Sequence, residues 1–425
     1  MDMWLFTFRS RLARRSPGAL ALVLVLTLSL GVPCYSTAKS IPRPAPPGAS
    51  ASPPTTTLAP FLDLIPSEDG HALYIHAGKL GTLDGVLTAN LGIGPGHDKH
   101  SYTMTYSETT QSYVTTAFGF TPQIGQSGSL YLTTTHGLSS DDAPFDRFYV
   151  PAETLKTLTS SDSYLTLSII TTDTLPAETY IAVAPSGTPP GSPSPGHRLV
   201  SSVYSVRASG ALVTTDAPMS LRLHYTAALL DGADPFTLDL FGWDPTQRVW
   251  YALEGRLFTR DSYLSAPISR FTTYALLATP TWRDDFDDFD GLDADASHNV
   301  TLGLREERIE TVVLAGDATE GVAVSRIITP STAFARWGTL AFTGTVAPPT
   351  TTLTVDVLTP EGTPVLTDVV SGADLSALNA ADYPALRLQA TLTSTVSGES
   401  PALDAWRLGW EIEQHTVFLP LVVKG

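Results

Sequence analysis

Four runs in the middle of the chain, LRLHYT (residues 221–226), FTLDLFGWD (236–244), RVWYALEG (248–255) and FTTYALLA (271–278), carry apolar side chains at alternating positions. A period of two sends every second side chain to one face of an extended strand, so each run reads as a half-buried strand. Between them, DGADP (231–235) and DPTQ (244–247) supply the Asp, Gly and Pro of tight turns. Short strands joined by such turns build a meander or one half of a sandwich.

The same pattern extends in both directions. Upstream, SYLTLSII (163–170) and TYIAVA (179–184) alternate, and Phe118 to Phe120, Leu130 to Thr134 and Phe148 to Val150 fit shorter strands. Downstream come AVSRIIT (323–329), TLAFTGTV (339–346), TTLTVDVLT (351–359), ALRLQATLT (385–393) and AWRLGWEIE (405–413). In the last of these, Trp406, Leu408 and Trp410 share one face, with Arg407 and Glu411 on the other, the pattern of a core strand. Trp243 and Trp250 flank a turn and also read as core. The expected fold is all-β, two or three antiparallel β-sandwich or jelly-roll domains, since 425 residues at roughly 150 per domain allow that number.

The expected organisation is a signal peptide (1–38), a Pro/Ser/Thr-rich tether (39–60), a β-sandwich (61–196), a second sandwich (197–282) that stands apart or packs with the first as one unit, a jelly roll (283–413) and an apolar tail (414–425). PSGTPPGSPSPGH (185–197) is either an interdomain linker or a long loop within one sandwich. Arg9, Arg11, Arg14 and Arg15 precede an apolar run from Ala19 to Val32, and Ser36-Thr37-Ala38 offers a small-x-small cleavage site, so cleavage after Ala38 is predicted. The sole cysteine, Cys34, lies inside that peptide, so the mature chain is expected to lack disulfides and thiol-based metal sites. No transmembrane segment is expected after cleavage, and the chain is placed outside the cell or on its surface.

A formal charge of −17 excludes the basic face that a nucleic acid needs. The 43% hydrophobic content is too high for a disordered acidic chain.

Residues 200–280 resemble an immunoglobulin-type or ZU5-like module of bacterial secreted proteins, on Trp243-Asp244, Trp250 to Leu253 and Phe271 to Leu276. Residues 284–413 resemble jelly-roll accessory modules of the discoidin or laminin-G-like type. That resemblance is carried by Asp284 to Phe286, Trp337-Gly338, Tyr383 to Leu388 and the closing Trp-x-Leu-x-Trp. Both resemblances imply sandwich folds, and neither implies an activity.

The chain holds no HExxH, GxSxG, GxxxxGK[ST] or strand-linked GxGxxG, so no catalytic residue is assigned and no enzyme is expected. His97, Asp98 and His100 in GIGPGHDKH read as a solvated turn rather than a metal site, and Asp141-Asp142 as a turn. The densest charge is WRDDFDDFDGLDADAS, where Asp284, Asp285, Asp287, Asp288, Asp290, Asp293 and Asp295 repel one another unless neutralised. Two readings stand: a solvated acidic linker, or a calcium site of non-EF-hand type on Asp284, Asp285, Asp287, Asp288 and Asp290. Trp337 and Tyr383 adjoin turn residues and are the candidates for a sugar-stacking platform. Calcium apart, no cofactor is expected. The composite expectation is an exported structural or adhesive protein whose partner is a surface polymer or glycan. The alternatives are a carbohydrate-binding protein using the C-terminal jelly roll, and an unrecognised hydrolase in residues 61–196.

Overall fold

The computed structural model describes residues 57–94, 98–175, 177–210, 212–305, 309–330 and 334–413. The expected signal peptide, the tether up to residue 56 and the apolar tail lie outside the described residues. Among the described residues the strands pair antiparallel in four sheets. Helix among the described residues is confined to one four-residue turn, Ala227–Leu230, and two three-residue 3-10 turns. The fold is all-β, and no described helix is long and apolar enough to cross a membrane.

The largest of the four sheets bends into two parts, and its small part, the first sheet, orders Phe61–Pro66, Ala72–Gly78, Ser112–Phe118 and the end of Asp98–Ser107. That last strand changes sheet along its length: residues 98–104 pair with Leu87–Ile93, and residues 105–107 with residues 112–114. A strand shared in this way turns a corner. The first sheet therefore folds over a much larger spanning sheet, which runs from Leu87–Ile93 through Gln126–Thr134, Ala143–Val150, Thr179–Ser186, Val203–Ala208, Thr273–Ala278 and Leu238–Asp244 to Val249–Ala252. Leu62, Leu64, Leu73, Ile75, Leu91, Leu130, Phe145, Ala182 and Ala184 fill the space between the two.

The opposite face of the spanning sheet is covered by a third sheet, Arg256–Phe258, Tyr263–Arg270, Thr214–His224, Leu165–Ile169 and Lys156–Thr159. Here Ile181, Val183, Tyr204, Val206, Leu221, Leu264 and Leu276 meet. Strand Thr179–Ser186 is thus buried on both faces, where the alternation read in TYIAVA predicts one buried face only.

The chain on either side of residues 185–197 is joined by two pairings. Thr179–Ser186 pairs with Val203–Ala208, and Leu165–Ile169 pairs with Thr214–His224. The Pro/Gly-rich stretch lies over the far end of the spanning sheet. Trp250 Nε1 donates to the Gly191 carbonyl at 2.9 Å, and a Cβ on Gly191 would sit 2.2 Å from the Trp243 ring. The His197 ring meets Phe241 edge-on at 5.5 Å. Phe241, Trp243, Trp250, Ala275 and Leu277 form a small separate core under this cover. Only a residue without a side chain lets the backbone come so near the indole.

The expected strand 236–244 begins two residues late, at Leu238. Pro235–Thr237 is a 3-10 turn whose Phe236 N–H is capped by Asp234. Phe236 then stacks on Trp282 at 5.7 Å, where the C-terminal sandwich starts. That sandwich faces Val300–Arg305, Ile309–Leu314, Ala402–Ile412, Phe334–Thr345 and Ala373–Asp374, with Thr281–Asp284 beside Ala402–Ile412, against Glu320–Val324, Arg387–Ser394, Thr351–Leu358 and Pro364–Leu366. Trp406, Leu408 and Trp410 are buried on one face, as their period-two spacing predicts. The core is continuous with its neighbour through Phe236, Trp282, Phe286 and Trp406.

Candidate functional site

The aspartate-rich segment is not a solvated linker. Every residue from Trp282 to Asp287 is buried. Arg283, 1% exposed, pairs with both Asp239 and Asp285 and donates to the Gly255 carbonyl. Asp285 also accepts the Leu257 N–H at 2.7 Å. Asp287 accepts the Thr259 hydroxyl at 2.8 Å and the Arg260 N–H at 3.0 Å. Asp288 accepts the same hydroxyl at 3.0 Å and the Asp290 N–H at 2.8 Å, whereas Asp290 itself is exposed. Asp293 pairs with Arg387 and accepts the N–H groups of Asp295 and Ala296.

These acceptors turn to the chain's own donors, with Leu257, Thr259 and Arg260 supplying three of them from the strand and turn after Arg256. Among the described residues no group of three His, Cys, Asp or Glu side chains is gathered to hold a metal. Asp284 is different: one oxygen accepts the Phe286 N–H at 2.9 Å and the other has no partner. Burial pushes its carboxyl pKa well above the ordinary value, and the charges of Asp285, Asp287 and Asp288 push it the same way.

Trp337 cannot serve as a sugar platform, because its ring has no exposed face. It packs against Phe334 at 4.9 Å and Trp410 at 6.5 Å, and its Nε1 donates to the Tyr383 carbonyl at 2.8 Å. Tyr383 is half-buried against the same core. The structure brings the two together, but as core. Of the histidine turn, His97 lies outside the described residues, and His100 is exposed beside Tyr102. Asp141 and Asp142 are exposed.

A cleft of about 800 Å³ opens elsewhere, between the first sheet and the far end of the spanning sheet. Strand pairing sets Phe61 opposite Gly78 and Asp63 opposite His76, while Leu62, Leu64, Ile75 and Ala77 point to the core. Alternation therefore turns Phe61, Asp63 and His76 toward the cleft. Below them Asp63 pairs with Arg207 of the spanning sheet at 2.8 Å and accepts the Ser205 hydroxyl. Burial lowers the His76 pKa, with Asp63 opposing and Arg207 adding to the shift, so the imidazole is neutral at neutral pH.

Two hairpin tips rise on opposite walls. Glu108-Thr109-Thr110-Gln111 joins Asp98–Ser107 to Ser112–Phe118, and Pro245-Thr246-Gln247-Arg248 joins Leu238–Asp244 to Val249–Ala252. Asp244 fixes the second tip by accepting the N–H groups of Thr246 and Gln247 at 2.8 and 3.0 Å, and these bonds hold its carboxyl below the usual range. Tyr106, Phe61, Trp243 and Pro190 supply the apolar part of the lining. The sequence shows DPTQ only as turn chemistry; the facing of the two tips comes from the corner in strand Asp98–Ser107 and has no local signal.

No protein-family model matches this chain, and no curated protein matches it. Among solved structures it is similar to the isomalto-dextranase of Arthrobacter globiformis T6 complexed with panose, at 10% identity and a TM-score of 0.21 over 59% of this chain and 37% of that one. It is also similar to the exo-β-1,3-galactanase of Phanerochaete chrysosporium with β-1,3-galactotriose, at 10% identity and a TM-score of 0.18 over 82% and 95% of the two chains. The chain spans little more than a third of the isomalto-dextranase, and likeness at these TM-scores carries no argument about function.

Proposed function

We propose that the protein is an exported, non-catalytic adhesive module that holds a surface glycan in the cleft between its first and spanning sheets. The observation that supports this reading is the lining of that cleft. Sugars offer C–H faces to aromatic rings and hydroxyls to polar heads, and Phe61 and Tyr106 stand there beside Thr109, Thr110 and Gln111. The buried joint between the middle and C-terminal sandwiches suits a rigid spacer behind such a site. Glycan-array binding of the secreted chain tests the reading, with Tyr106→Ala as the variant. Binding weakened at least tenfold by that substitution is expected; an array with no bound glycan, or a variant that binds like the parent, overturns it.

A further inference from the structure

We infer that the cleft selects a carboxylate-bearing glycan, one built with uronic acid units; this rests on the glycan reading above. The chain carries 42 acidic residues against 25 Lys and Arg, so a cleft taken at random on its surface should be lined with carboxylates. This one is not. Lys79 stands on the first-sheet wall and Arg248 on the opposite wall, both exposed. Against them stand the exposed Glu108 and Asp63, whose charge Arg207 already neutralises. The neutral His76 adds no charge at neutral pH.

Backbone conformation gives a second and independent reason. Lys79 has φ +67°, Gln111 φ +48° and Arg248 φ +58°, the left-handed region that favours glycine. Three of the eleven described non-glycine residues with positive φ therefore line this one cleft. Lys79 follows a strand, and Gln111 and Arg248 each close a hairpin tip just before one; at these turn positions glycine is the cheaper choice, and each instead carries a long polar head. Strain kept in this way clusters where a ligand is met. Arg248 offers a planar fork that fits a carboxylate with two hydrogen bonds, Lys79 a compact charge, and Gln111 an amide for a neighbouring hydroxyl.

The geometry supplies variants that are safe for folding. Glycine at Lys79 or Arg248 removes the charge and relieves the left-handed backbone, so Lys79→Gly and Arg248→Gly should melt no lower than the parent. The probes are oligogalacturonate and its methyl ester, titrated calorimetrically into the secreted chain at low and high salt, beside an array of neutral glycans. We expect the acid form to bind, the ester to bind at least tenfold more weakly, added salt to weaken the acid form, and each glycine variant to lose at least tenfold with its melting temperature unchanged. An ester that binds as tightly as the acid, or binding of neutral array glycans but of neither probe, overturns the acidic preference and leaves the glycan reading standing. Acid binding that the glycine variants leave intact overturns the placement in this cleft. Failure of both probes and of the whole array overturns the two readings together.

Discussion

The joint at Trp282–Asp288 and the cleft at the hairpin tips invert what their sequences suggest. The joint concentrates carboxylates, the residue type most often associated with metal or catalysis, yet nearly all of them are consumed by the chain's own donors: Arg283, Thr259 and the N–H groups of Leu257 and Arg260. The tips are ordinary turn composition, yet they hold exposed long polar heads on strained backbone facing a common space. Charge density alone does not mark a site. A better mark is a group whose local cost is not repaid by any partner within the fold.

The contrast can be broken most severely at Arg283. Arg283→Met leaves Asp239 and Asp285 buried without their cation, and loss of one partner from such a cluster costs about 3–5 kcal/mol, to be read by chemical denaturation. A loss below about 1 kcal/mol would mean that the joint is wetter than its burial indicates.

Asp284 gives the next effect, and it has a sign. The folded chain holds its proton more tightly than the unfolded chain does, so this group favours folding most below its ordinary pKa of 3.8, and that contribution is lost as pH rises toward the elevated folded value. Asp284→Asn removes the dependence. The variant should be more stable than the parent at pH 8, and the gap should close toward pH 4. A gap that widens on acidification would reverse the assignment.

Asp287→Asn with Asp288→Asn separates the structural role from a solvated or calcium-binding one. It replaces the charged acceptors of the Thr259 hydroxyl and the Arg260 N–H by amides with a single acceptor oxygen each and should cost about 1–3 kcal/mol, whereas a solvated linker would lose nothing. Millimolar calcium should leave the melting temperature of the parent unchanged; a rise would restore the calcium reading. The smallest effect belongs to the cleft: Gln111→Gly should leave stability unchanged or raise it by up to about 1 kcal/mol.

From Leu165 onward many strands are legible, whereas the five strands between Phe61 and Phe118 are not, and the expected run Phe118 to Phe120 falls at the end of Ser112–Phe118 rather than on a strand of its own. LTLSI, LRLH and the AWRLGWEI run fall on observed strands because each is half-buried and alternates, and LDLFGWD also falls on a strand, buried on both faces. Local pattern could not show that TYIAVA is buried on both faces, since the second cover comes from strands Thr214–His224 and Tyr263–Arg270, far along the chain. Trp337 misled for a related reason: adjacency to Gly338 suggests a turn, yet both lie inside the long strand Phe334–Thr345, with the register shifting just after Trp337 and the ring directed into the core. The candidate cleft was the least legible part. Its residues come from both sides of the Pro/Gly-rich stretch, and their meeting depends on one strand bending between sheets.

Strand Thr179–Ser186 sets the order in which this chain can be made. When it has emerged, the first sheet and its facing strands are complete, and Ala182 and Ala184 can be covered at once. Ile181 and Val183, on the reverse, have only Lys156–Thr159 and Leu165–Ile169 of their covering sheet until residues beyond 213 emerge. A nascent or clipped chain ending near residue 197 therefore carries an apolar sheet face that is only partly covered, the kind of surface that aggregates. The two halves share one wall, so neither can be transplanted into another protein without the other.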